Sequence, residues 1–77
     1  NPHCYIQLAV TGPDGRDQEW SLEMGAPIYL YRLGWRPSTL KPGQKITARA
    51  FPLRSGKPGG LVQVVHDEAG QVLGRRP

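Results

Sequence analysis

The sequence predicts a mainly β fold: a small barrel or partly open sheet, with one short helix at about residues 27–33 between the second and third strands. Three observations carry this. Apolar residues recur with a period of two in several short runs, the pattern of half-buried strands. Gly and Pro, ten and eight of the 77 residues, separate those runs. One run, beginning at Pro27, carries helix punctuation at both ends instead.

The first run spans His3 to Thr11. Cys4, Ile6, Leu8 and Val10 share one face; His3, Tyr5, Gln7, Ala9 and Thr11 share the other. Gly12-Pro13-Asp14-Gly15 follows, with Pro and Asp-Gly placed as a tight turn needs them. Arg16 to Met24 alternates again, Trp20, Leu22 and Met24 opposing Asp17, Glu19, Ser21 and Glu23. Two alternating strands about a tight turn predict a β-hairpin. Pro27 suits the first helical position and Gly34 the position after the last. Ala26, Leu30 and Leu33 then lie on one side, so this two-turn helix must pack on the sheet to persist. Ser38 is expected to cap one further turn. A third strand is predicted over Lys45–Leu53, with Pro52 confining its end to a sheet edge or bulge. Arg54–Gly60 reads as a flexible loop, Leu61–His66 as a fourth strand and Gln71–Leu73 as a short return. Gly74–Pro77 is expected to be a disordered tail.

Composition bounds the function. Ten Lys and Arg against six Asp and Glu give a net charge of +4. A pI near 9.7 is compatible with a polyanion partner, but the acids are interspersed with the bases. With 38% apolar residues, the chain has neither a transmembrane span nor a deep core, and it reads as a single domain over residues 1–77. Membrane insertion is not expected. Cys4 is the one cysteine and can form no internal disulfide.

Several segments in combination carry a family pattern: Asn1-Pro2-His3 opening the first strand, Trp20-x-x-Glu23-x-Gly25-x-Pro27 before the helix, Gly34-Trp35, and Leu40-Lys41-Pro42-Gly43. The chain resembles a family of uncharacterised small bacterial exported proteins. The resemblance implies an OB-like barrel and a periplasmic or secreted location. It also implies a signal peptide and an additional first strand upstream of residue 1, so that the barrel would lack a strand here. It implies no activity.

No catalytic set emerges. Ser21 and Ser38 lack a nearby His. Glu19 and Glu23 share a strand face about 13 Å apart, too far for a glycosidase pair. The chain is expected to be non-enzymatic and to need no cofactor, serving as a binding or accessory module. Around the helix, Tyr29, Arg32, Trp35 and Arg36 are candidate ligand-binding residues, because Tyr, Trp and Arg dominate protein interfaces. The partner would be another protein or a second copy. A second reading is a binder of single-stranded nucleic acid or another polyanion. It would use Lys45 and Arg49 on one strand face, Arg54 and Lys57 in the next loop, and Tyr5 as a stacking platform. Trp20 and Trp35 are expected in the core. A third reading is a surface copper or zinc site through His3 and His66. The unpaired edge of the first strand is expected to be covered either by the Leu61–Leu73 hairpin or by a second copy.

Overall fold

In the computed structural model, residues 3–75 are described. Four strands and one helix follow in the order β1 (Tyr5–Thr11), β2 (Asp17–Glu23), α1 (Pro27–Arg32), β3 (Ile46–Pro52) and β4 (Gly59–Asp67). The strands form one mixed sheet in the order β1-β2-β4-β3. It is not closed. β1 and β3 are both edges, so the expected barrel is replaced by its alternative, the open sheet.

β1 and β2 form the hairpin that alternation and the Gly12–Gly15 turn predict, in antiparallel register with Leu8 opposite Trp20 and Ile6 opposite Leu22. The turn closes through Gly15 N–H donating to the Gly12 carbonyl and Arg16 N–H to the Asp14 carboxylate. β4 then runs parallel to β2, Leu22 beside Gly60, and antiparallel to β3. The C-terminal hairpin therefore does not cover the edge of β1, as one expectation had it. β4 is instead inserted between β2 and β3, and Gln71–Leu73 makes only the isolated bridge Val72 to His66.

Gly59 and Gly60 belong to β4 rather than to a flexible loop. Both are buried. A Cβ on Gly60 would meet the Phe51 carbonyl and lie 3.2 Å from Pro52 Cα; one on Gly59 would lie 2.8 Å from the Ser21 carbonyl oxygen. Glycine is needed there because two neighbouring backbones approach closely. Farther along, the β3–β4 register shifts between Arg49 and Ala50. This bulge lets Val62 and Val65, three residues apart, both face the core opposite Ala50 and Ala48.

The core covers one face of the sheet. Ile6, Leu22, Met24, Val62 and Val65 pack against Leu30 of α1 and Trp35. Trp20 is only partly buried at the margin of this cluster, which corrects the expectation that both tryptophans are core residues. Trp20 stands at the middle of β2 opposite Leu8, which is likewise only partly buried.

α1 ends at a left-handed Gly34, φ +90°. Trp35 N–H donates to the Leu30 carbonyl and Gly34 N–H to the Tyr31 carbonyl, a complete Schellman motif. Beyond it Thr39, not Ser38, supplies the side-chain bond, its hydroxyl accepting from Arg36 N–H. The expected disordered tail is corrected at Gly74 and Arg75; Arg76 and Pro77 lie outside the described residues. Arg75 N–H donates to the Leu33 carbonyl and its guanidinium to the Arg32 carbonyl. The Trp35 indole N–H donates in turn to the Arg75 carbonyl at 3.0 Å. Gly74 lies flat against the indole, where a Cβ would stand 2.8 Å from Trp35 Cδ2.

Candidate functional site

A groove of about 770 Å³ lies beside the first half of β1. Its floor is apolar because core side chains at the border of the α1 packing form it: Cys4, partly buried, and the buried Ile6, Met24, Leu30 and Trp35. The segment after the helix forms the opposite wall with Pro37, Leu40 and Pro42. Tyr5 and Gln7 also line it. Cys4 and the first three residues of β1, pointing alternately to the two faces of the sheet, border one space only where that space wraps the strand's edge.

Arg36 and Lys41 provide the charge of the lining, and no Asp or Glu takes part. Arg36 is held rigidly. Its Nη1 donates to the carbonyls of Tyr31 at 2.9 Å and Trp35 at 2.8 Å, and its Cζ stands 3.6 Å from the Tyr31 ring centroid. A guanidinium stacked on an aromatic face and bonded to two carbonyls is a fixed cation rather than a mobile one.

The four residues proposed from sequence as a ligand set are thus divided. Trp35 and Arg36 line the groove, the first as buried floor. Tyr29 does not; its ring packs near Gly25. Arg32 is exposed at the helix end and also stands outside the groove lining. Tyr31, Leu40 and Lys41 line the groove and stand outside those four. The spacing that could have found Tyr31 is its five-residue separation from Arg36, which a helix closed by a Schellman turn folds back on itself.

The basic set is spread across the sheet. Arg49, on β3, is exposed on the side away from the core together with Thr47 and Phe51, and Lys45 precedes that strand. Arg54 and Lys57 lie in the β3–β4 connection. Tyr5 lies on β1, at the opposite edge of the sheet from Arg49, so it forms no single platform with the bases. Asp67 and Glu68 share a shallow depression with Lys45.

His3 and His66 are not brought together. His3 Nδ1 lies 2.5 Å from Glu23 Oε2 at the β1–β2 side, whereas His66 sits on β4 opposite Thr47. Asp67, the carboxylate beside His66, accepts from Gln71 N–H. Among the described residues, no group of three or more His, Cys, Asp or Glu is placed to hold a metal ion. None of the described helices is long and apolar enough to cross a membrane.

The model of a family of unknown function (DUF6152) matches residues 1–63, and the chain belongs to that family. No curated protein and no solved structure matches it.

Proposed function

We propose, for this member of the DUF6152 family, a non-enzymatic binding module whose groove beside β1 takes an extended apolar segment. One observation carries the reading: an apolar floor of core side chains opens along the edge of a strand, under a wall that bears Arg36 and Lys41 and no acid. An edge strand offers backbone groups to an incoming chain, and the floor offers pockets for alternate side chains. The two cations favour an acidic group at the segment's flank. On the resemblance of its motifs, the module works in the periplasm or after secretion.

The test uses 8-anilinonaphthalene-1-sulfonate, an apolar ring system with one negative charge. The folded chain is expected to enhance its fluorescence saturably. Leu40→Glu should abolish the enhancement, and Lys41→Gln should weaken binding about fivefold, the effect of one exposed charge. Equal binding to all three proteins would overturn the groove assignment.

A second reading, polyanion binding, is favoured by the exposed row of Lys45, Thr47 and Arg49 along an edge strand. Binding of oligothymidylate that falls steeply with salt, and is lost in Arg49→Glu, would support it.

A further inference from the structure

We propose that the segment occupying the groove is β1 of a second copy of this chain, in a two-fold antiparallel pairing centred on Leu8. The inference rests on the groove reading above and names its occupant.

β1 and β3 are the two edges of the sheet, and they differ in how they are defended. Natural edges are blunted by charge, by Pro or by short length. β3 carries Arg49 at its centre and Pro52 at its end, so pairing it with its own copy would set two guanidinium groups opposite each other. β1, Tyr-Ile-Gln-Leu-Ala-Val-Thr, has seven residues with no charge, no Pro and no Gly. Nothing in its side chains opposes self-pairing.

The hydrogen-bond phase fixes the register. Cys4 C=O accepts from Met24 N–H, and Gly12 N–H donates to Arg16 C=O. Even-numbered residues of β1 therefore bond inward to β2, and the N–H and C=O groups of Gln7 and Ala9 point out of the sheet. Placing Leu8 on the two-fold axis sets Gln7 opposite the partner's Ala9, and the pair exchanges both bonds. On the core side the same register sets Leu8 beside the partner's Leu8 and Ile6 beside the partner's Val10.

Val10 has the parity of the core face yet is 37% exposed near the far end of β1. Ile6 borders the groove of its own subunit. In the dimer the partner's Val10 enters that groove beside Ile6, and the exchange is reciprocal. Each subunit completes the other's site, and the two four-stranded sheets become one continuous sheet.

The measurement is sedimentation velocity of the full chain from micromolar to millimolar concentration. A dimer is expected, with Ala9→Pro raising its Kd roughly thirtyfold through two lost backbone bonds per interface. Pro is tolerated at an outward-facing N–H, so far-UV circular dichroism of that variant should be unchanged. Register is read from Leu8→Cys in a Cys4→Ser background, which should form an intermolecular disulfide under mild oxidation, whereas Thr47→Cys should not. A chain monomeric at millimolar concentration that still binds the anilinonaphthalene probe through Lys41 overturns the pairing and leaves the groove reading standing. A monomer that binds no probe overturns both. A dimer indifferent to Ala9→Pro and cross-linked instead through Thr47→Cys overturns the proposed edge.

Discussion

Replacing Gly60 by Ala tests the least local feature of the fold, the wedging of β4 between β2 and β3. A Cβ at this position points directly at the Phe51 carbonyl oxygen and lies 3.0 Å from the carbonyl carbon. Both are backbone atoms and cannot rotate away. A relaxed C···O contact is about 3.3 Å, so the β3–β4 pair must part by a substantial fraction of an ångström. Overpacking of this kind costs about 1–3 kcal/mol. The Leu53 N–H to Gly59 carbonyl bond, 3.0 Å in the structure, lies at the same end of the pair and contributes about 1 kcal/mol more when stretched. The expected loss is about 3 kcal/mol, or roughly 12–24 °C in Tm for a domain of this size. The internal control is Gly15→Ala. Its φ of +79° is strained for Ala, but nothing lies within 4 Å of the new methyl, so about 1 kcal/mol is expected. The assay is thermal unfolding of the two variants beside the parent, with amide exchange at Leu53. If Gly60→Ala costs no more than Gly15→Ala, and the Leu53 amide stays protected, β4 does not approach β3 as described.

Three further substitutions probe the helix and its surroundings. Gly34→Ala should cost about 1 kcal/mol from its positive φ alone, since the surrounding space is open; a loss above about 3 kcal/mol in a urea melt would indicate packing instead. Trp35→Phe deletes the donor to the Arg75 carbonyl and should lower stability by about 1–2 kcal/mol while speeding exchange of the Arg75 amide; an unchanged exchange rate would mean that the C-terminal segment docks without the indole. Trp20→Ala should cost about 1–2 kcal/mol, below the 3–5 typical of a fully buried aromatic, because the ring is only partly covered; unfolding of this variant at room temperature would make Trp20 a core residue after all.

Local pattern carried much of the fold. The β1–β2 hairpin, its Gly12–Gly15 turn and the span of α1 depend on neighbours in sequence, so alternation, Pro27 and Gly34 report them directly. What pattern missed depends on distant backbone. Gly59 and Gly60 read as loop because glycine in sequence signals flexibility, whereas here the carbonyls of Ser21 and Phe51 require it. The parallel β2–β4 contact has no local mark at all, and the bulge beside Arg49 breaks the period by which Val62 and Val65 would be paired. The groove was half legible. Arg36 and Trp35 stood out by residue type, but Leu40 and Lys41 reach it only because the chain turns back after the Schellman motif.

The docking of Gly74 and Arg75 has a kinetic consequence. A six-residue helix cannot hold itself together, and the carbonyls at its end are satisfied partly from far along the chain. The Trp35 indole reaches its acceptor across 40 residues of sequence, and the Arg75 guanidinium reaches the helix across 43. Those bonds form only after the intervening β3–β4 pair has brought the segment round, since a loop of that length closes at an entropic cost that local helix formation does not repay. The β1–β2 hairpin therefore rests on contacts local in sequence, whereas the end of α1 is completed by the chain's distal end.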